Sequence, residues 1–306
     1  MKGKKINHDN NIKANIFYYS MLFIPLLHFC VFYIYANFDS FYMAFTEYDY
    51  AAGGFKFVGF KTYKALFYKF ETVGYYWGSI KNSLLLMGFN LLIGIPLPII
   101  FSNYLFKRLY GSGFFKVILF LPTMISSIVL VTIFKNCVEY ALPALGDVFG
   151  TTIAPDLIAN PDKAKWVVLF YSLWLGFGSQ IILYTGAMSA ISASILEAAE
   201  LDGAGRVREL WSVVLPSIWP TIITFIVTTL SATFNGMMHL YDFYGGAASE
   251  DVMTMGYYLF KKINSKNTTL RDYPELSAIG LMCTGITCCG VLVIKHLMEK
   301  VGPSED

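Results

Sequence analysis

Six stretches of the chain carry no Asp, Glu, Lys or Arg: Ala14–Phe38, Asn82–Phe106, Val117–Phe134, Trp166–Leu196, Leu210–Tyr241 and Leu276–Ile294. They run for 25, 25, 18, 31, 32 and 19 residues. Chance spacing of charges would leave roughly three gaps this long, so the content of the runs decides. Leu, Ile, Val, Phe and Met dominate them, as in Ser83–Ile93 and Val167–Trp174. A bilayer core about 30 Å thick takes about 20 helical residues to cross, and lipid offers backbone polar groups no partners, so the spans must be helices. The pattern predicts spans near 16–37, 82–105, 115–136, 166–190, 217–240 and 276–297 within a single transmembrane domain over 1–306.

Composition agrees. Of 306 residues 56% are apolar and only 14% charged, with a mean hydropathy of +0.53; soluble domains carry about 25% charge. Aromatics reach 17%, which suits interfacial belts. A net charge of +2 is too mild to imply a nucleic-acid partner, so no nucleic acid is expected and the lipid bilayer is left as the surroundings. Cys30, Cys137, Cys283, Cys288 and Cys289 sit in or beside spans, without disulfide or metal spacing, and read as small apolar packing residues.

The first span is longer than a signal-peptide core, and Tyr33–Asp39 makes a poor cleavage site, so it is read as retained. Six spans put both termini on one side with Lys2, Lys4, Lys5, Lys13, Lys107, Arg108, Arg206, Arg208, Lys295 and Lys300. Basic residues are denser there than in the opposite loops, which places that side in the cytoplasm.

No catalytic motif emerges. Gly54–Thr62 approaches a phosphate loop, but Phe60 separates Gly59 from Lys61, where the motif needs adjacency. His28 and His239 have no carboxylate in the same predicted span. No acidic or basic residue lies inside the uncharged runs, which leaves an ion-coupled mechanism little to use. Energy is expected to come from elsewhere.

Ser194–Pro220 (SILEAAELDGAGRVRELWSVVLPSIWP) stands apart. Ser194 and Glu197 have capping-box spacing, which predicts a short helix starting at Ser194. Gly203 is placed to terminate it. A second short helix over Arg206–Val214 is expected to end at Pro216, and Pro220 suits the first turn of span five. The result is a helix–turn–helix elbow at the membrane surface, either a docking element or a plain surface loop whose Glu197 caps a helix.

Here the sequence resembles a known family. Glu197-Ala198-Ala199, Asp202-Gly203-Ala204, Leu215-Pro216 and Pro220 resemble the EAA motif of ABC importer permeases, more narrowly those of maltose-transporter type. Phe120-Leu121-Pro122, Thr46–Asp49, Phe57–Phe60 with Tyr63, Phe234-Asn235, Met253–Tyr258 and Ser277-Ala278 match in order. Tyr244-Gly245-Gly246-Ala247 replaces the family's run of three glycines and a proline.

The resemblance implies an all-α integral membrane protein of six transmembrane helices with a cytoplasmic coupling-helix loop over 194–215, of the type I importer permease kind. It implies ATPase-coupling roles for Glu197, Ala198, Ala199, Asp202, Gly203, Leu215 and Pro216. The expected partners are a second homologous permease, two ATP-binding cassette subunits carrying ATP and magnesium, and an extracytoplasmic solute-binding protein. This chain itself would hold no cofactor, catalyse nothing, and sit in a bacterial cytoplasmic membrane with both termini inside.

Sugar recognition uses aromatic faces and amide or hydroxyl groups in a largely apolar cavity. The candidates are Gln180, Tyr184, Asn235, Met238, Tyr241, Ser277 and Thr284. Gln180, Tyr184 and Ala187 share a helical face, as Asn235, Met238 and Asp242 would. Helix-to-helix hydrogen bonding accounts equally well for Gln180 and Asn235, and packing is the better account of Tyr184. The aromatic external loops 39–79 and 242–274 include Val252–Phe260, expected as a helix lying on the outer surface. Rival readings are the same architecture importing a polyol, glycerol phosphodiester or amino acid, or a membrane enzyme of lipid or glycan metabolism. The uncharged runs hold no Lys or Arg for a phosphorylated solute, and no acid, base or metal cluster points to an enzyme.

Overall fold

The computed structural model of the protein describes residues 8–153 and 155–302; the basic residues Lys2, Lys4 and Lys5 lie outside that range. Contacts divide the chain into two units, one of residues up to 67 with 267–281 and one of 68–266 with the residues from 282 onward.

In the first unit, α1 (His8–Phe29), a π-helical turn (Cys30–Tyr35) and α2 (Ala36–Met43) make one long apolar helix. From Asn15 to Ser40 every side chain except Cys30 is exposed. A helix apolar all round with nothing of its own chain against it is suited to lipid or to another membrane helix. Strands β1 (Thr46–Asp49) and β2 (Gly54–Phe57) then pair antiparallel, Thr46 opposite Phe57 and Asp49 opposite Gly54. Asp49 Oδ1 accepts from the backbone N–H of Ala51 at 2.9 Å, closing the turn. The run resembling a phosphate loop is thus β2 and the start of α3 (Lys61–Thr72), with Lys61 on Glu47 at 2.9 Å.

The second unit begins with α4 (Gly74–Phe89) and α5 (Pro96–Phe106), joined by a π-helical turn at Asn90–Gly94. Pro96 has no N–H to give and crowds the carbonyl four residues back. One turn before the break, Asn90 Nδ2 donates to Leu86 O at 3.0 Å. Gly94 leaves room for that side chain, since a Cβ there would lie 2.9 Å from Asn90 Oδ1.

The expected span 115–136 is not continuous. Helix α6 (Ser112–Phe120) passes through a 3₁₀ turn (Leu121–Met124) to α7 (Ser127–Asn136), and after a π-helical turn α8 (Leu142–Val148) completes the segment. Pro122 and the extended Ile125 make the break. It fits against α9 (Pro161–Ser189) at Gly178, where a Cβ would lie 2.2 Å from Leu119 O. Such close approach of helix backbones needs a small residue.

The elbow follows as α10 (Ala193–Leu201), α11 (Arg206–Glu209), a π-helical turn (Leu210–Val214) and α12 (Leu215–Ser217). Span five begins as α13 (Trp219–Ser231), bent 72° from the preceding helical segment. Pro216 therefore lies inside a continuing helical path rather than ending it, and the break falls at Ile218, while Pro220 occupies the first turn of α13 as expected. Span five also stops early. Residues 232–239 are irregular before α14 (Leu240–Tyr244), so the expected helix over 217–240 is only half realised. Then come α15 (Met255–Ile263) and α16 (Asp272–Val301). Five described helices are long and apolar enough to cross a membrane, six with the bent pair counted as one span.

One core of this unit gathers Ile95 and Ile99 of α5, Tyr184 and Met188 of α9, and Val214, Ile218 and Ile222 of the elbow and α13. Ser102 Oγ donates to Ile181 O at 3.1 Å beneath it. The elbow is thereby rooted in the same packing that joins α5 to α9.

Candidate functional site

Helix α10 ends as the sequence predicts. Gly203 has φ +74° and nothing near its Cβ position. Its N–H donates to Glu200 O at 3.0 Å, and that of Ala204 to Ala199 O at 3.0 Å. These are the two bonds of a Schellman motif, which satisfies the last carbonyls of a helix. The start differs. Ser192, with extended backbone, holds the N-cap position, and no side chain caps the helix. Ser194 instead lies 3.1 Å from Ser192, Oγ to Oγ. The expected capping box is absent because the helix begins one residue before Ser194.

Glu197 is left exposed, as are Ala198, Asp202 and Gly203, while Ala199, Leu215 and Pro216 are half-buried. Around them the elbow shows large apolar side chains: Leu201 is 89% exposed, Val207 71%, Trp211 68% and Ile195 51%. Beyond Ser212 the same elbow turns inward, with Val214 and Ile218 buried. It has a bare apolar outer half and an anchored inner half.

The same end of the unit holds the C-terminal end of α5, where Lys107 Nζ meets Glu209 Oε1 at 2.5 Å, and Trp219, whose Nε1 donates to Met298 O at 3.1 Å. Neither contact is legible in the sequence. Lys107 and Glu209 belong to different loops, and no spacing rule relates them.

The break in span five is held from outside its own segment. Thr254 Oγ1 donates to Gly236 O at 2.8 Å. Gly256 lies so close that a Cβ would sit 2.6 Å from Asn235 C and O. Asn82 Nδ2 of α4 donates to Asp251 O at 2.8 Å and Met253 O at 3.0 Å, and the Met255 N–H donates to Ser83 Oγ at 2.9 Å. The Val252–Phe260 stretch is therefore not a helix lying on the outer surface; Val252, Met253, Met255, Tyr257 and Tyr258 are buried. Burial pushes the Tyr257 phenol above its ordinary value. It stays protonated, donating to Gly245 O at 2.7 Å and accepting from the Ala248 N–H at 3.2 Å.

Met238 and His239 both take left-handed backbone, φ +52° and +55°. Such positions cost of order 1–3 kcal/mol each for non-glycine residues and mark constrained sites. Asp242 Oδ2 receives Ser127 Oγ at 2.7 Å and lies 3.1 Å from His239 Nδ1, tying the break to α7.

The expected substrate residues distribute unevenly. Gln180 is half-buried on α9, and its Oε1 is buried without a hydrogen-bond partner among the described residues; hydrogen-bonding glue within this chain does not account for that atom. Tyr184 is fully buried against Phe225 with ring centroids 4.6 Å apart, a packing residue. Asn235 is exposed in the break, Met238 is buried, and Tyr241 packs edge-on to Phe260. Because 232–239 is not helical, Asn235, Met238 and Asp242 do not share a helical face. Ser277 is half-buried on α16, in the other unit.

At the opposite end from the elbow, the N-termini of α4 and α9 and the 250–251 turn border an open cleft of about 740 Å³. Tyr75, Lys81, Asn82, Asp162 and Glu250 line it, mixing aromatic, amide and charged groups.

The family described as binding-protein-dependent transport system inner membrane component matches residues 74–304. The chain belongs to this family. It is an importer permease, a transport subunit rather than an enzyme. It is 28% identical over 266 residues to the multiple sugar-binding transport system permease protein MsmF of Streptococcus mutans, covering 86% of this chain and 89% of that one. It is 24% identical over 296 residues to the polygalacturonan/rhamnogalacturonan transport system permease protein YteP of Bacillus subtilis, covering 92% and 88%. A chain of a bacterial ABC transporter involved in the import of the acidic polysaccharide alginate shares the fold with a TM-score of 0.78 at 22% identity, over 96% of this chain and 99% of that one. This permease is accordingly a multi-pass membrane protein of the type I fold.

Proposed function

We propose that this permease forms, with a second homologous permease, the pathway through which a sugar or oligosaccharide enters the cell by alternating access. Two ATP-binding cassette subunits, which carry the ATP and magnesium, dock on 194–215. The observation that carries the reading is the elbow's division of labour: a bare apolar outer half beside Glu197, Ala198, Asp202 and Gly203, joined to an inner half packed with α5 and α9. An apolar surface of this kind is suited to a protein partner, and its rooting lets displacement of the docked partner reach the spanning helices. The relatives named for multiple sugars and for polygalacturonan and rhamnogalacturonan support a carbohydrate as solute.

Both termini and the elbow face the cytoplasm in this reading, and the cleft bearing Tyr75 and Asn82 faces the extracytoplasmic solute-binding protein. In the second unit Gln180, Asn235 and Tyr241 line the pathway, with Met238 buried behind them; Ser277 is the candidate of the other unit. Gln180 Oε1 offers a hydroxyl group an unused acceptor, while Tyr184 shapes the wall by packing.

Gly203→Pro and Glu197→Lys test the docking role. The proline removes the N–H that closes the Schellman turn and cannot adopt φ +74°. Both variants are expected to insert normally but lose copurifying ATPase and transport by about tenfold. Normal transport in either variant defeats the assignment.

A further inference from the structure

Glu209 is the most deeply buried acidic side chain of the elbow, 4% exposed, and its Oε1 stands in ion-pair contact with the Lys107 ammonium, itself 21% exposed, without the geometry of a hydrogen bond. The neighbouring Arg206 and Arg208 are exposed. A four-residue helix has no internal use for an inward carboxylate, and taking two charges out of water costs about as much as their attraction returns. What the pair fixes is position. Lys107 is the C-cap of α5, and Arg108 directly after it takes left-handed backbone, φ +48°, to turn the chain. Glu209 directly precedes the π-helical turn Leu210–Val214, an element frequent where a helix serves a function. From there Val214 enters the core with Ile95 and Ile99 of α5.

The elbow is therefore tied to α5 twice, by apolar packing at Val214 and by an ion pair at Glu209. The ion pair is the tie nearer the bare docking half. Apolar side chains slide past one another at little cost, whereas a buried ion pair fixes registry because separation leaves a charge unpaired.

We propose that Lys107 and Glu209 form a strut that passes displacement of the elbow to the cytoplasmic end of α5, and through α5 to the pathway. They are positioning residues, acting through the elbow. The proposal rests on the reading of 194–215 as the ATPase-docking loop, and the test separates the two.

The complex of both permeases with their ATPase subunits is prepared with the five native cysteines replaced and one reporter cysteine at Asn235→Cys. A membrane-impermeant maleimide probes the reporter, without nucleotide and after trapping with ATP and vanadate. Copurification, basal ATP hydrolysis and melting temperature are recorded alongside.

With the native pair, trapping is expected to change the labelling rate by about fivefold or more, the range of an ordinary coupling free energy. Glu209→Gln and the apolar double variant Lys107→Met with Glu209→Leu are expected, in the complexes that copurify their ATPase, to shrink that change to about twofold or less. The apolar pair should melt no lower than the native one, because well-packed replacements of buried ion pairs are neutral or stabilising. The exchanged pair Lys107→Glu with Glu209→Lys should restore the response.

An undiminished response in Glu209→Gln or in the apolar pair overturns the strut, and so does a diminished response that the exchanged pair leaves unrestored. Should Glu209→Gln fail to assemble, the apolar pair decides alone. Native-pair complexes that bind no ATPase defeat the docking reading itself, whatever the variants do.

Discussion

The elbow at 192–217 and the broken end of span five at 232–260 are two irregular regions of the permease, and they hold their irregularity by opposite means. The elbow's first turn is closed by bonds three and five residues apart, Gly203 to Glu200 and Ala204 to Ala199. The break is held by groups from far along the chain: Thr254 on Gly236, Asn82 on Asp251 and Met253, and Ser127 on Asp242. A locally closed turn can stand bare at the surface and meet a partner. A remotely held one moves only when its holders move.

The largest expected effect follows from the tightest remote contact. Gly256→Val would drive side-chain atoms into Asn235 backbone that already lies 2.6 Å from the Cβ position. Overpacking against backbone costs about 1–3 kcal/mol or more, so the purified permease should melt well below wild type. At Gly203 the space is open and only the positive φ opposes a side chain. Gly203→Ala should cost about 1 kcal/mol. Equal melting temperatures for the two variants would erase the contrast between local and remote support.

Next in size is Asn82→Ala. It strips hydrogen bonds from two carbonyls, those of Asp251 and Met253. An unsatisfied buried group costs about 1–3 kcal/mol, and the loss should fall on the 250–258 segment rather than on the elbow. Hydrogen exchange checks this: amides of 252–258 should exchange faster while those of 199–204 keep their rates. Acceleration spread over both regions would mean that they are not independent.

The same division explains what the sequence could and could not disclose. Charge-free runs marked the spans because lipid imposes one rule on every crossing residue. Gly203 was legible because a helix terminus needs a left-handed residue within a few positions, and Pro220 because a first helical turn tolerates it. The breaks at Ile125 and Ile218 were missed because apolar composition continues straight through them. Periodicity over 232–239 looked helical, yet Thr254 and Gly256 compete for that backbone from about 20 residues away. The Lys107–Glu209 pair left no trace either, since each residue alone reads as an ordinary loop charge. Gly256 falls within the family-like run Met253–Tyr258, yet its contact with the Asn235 backbone has no local sequence signal.

The smallest effect on folding should come from the elbow's outer half, and there the comparison is sharpest. Leu201 is 89% exposed on the last turn of α10. Its replacement in Leu201→Ser removes little buried area, so the melting temperature should hold within the change expected of about 0.5 kcal/mol. An apolar side chain that a partner buries at an interface contributes about 1–3 kcal/mol, so ATPase subunits should bind this variant about five- to a hundredfold more weakly. Val214→Ser, on the inner half, should show the reverse order, because that side chain is buried within the chain itself: a lower melting temperature first, with weaker binding only as a consequence. Titrating the ATPase subunits against each variant separates the two. Unchanged affinity in Leu201→Ser would mean that the bare half of the elbow is not where the motor grips, and the turn closed by Gly203 would then serve only to end a helix.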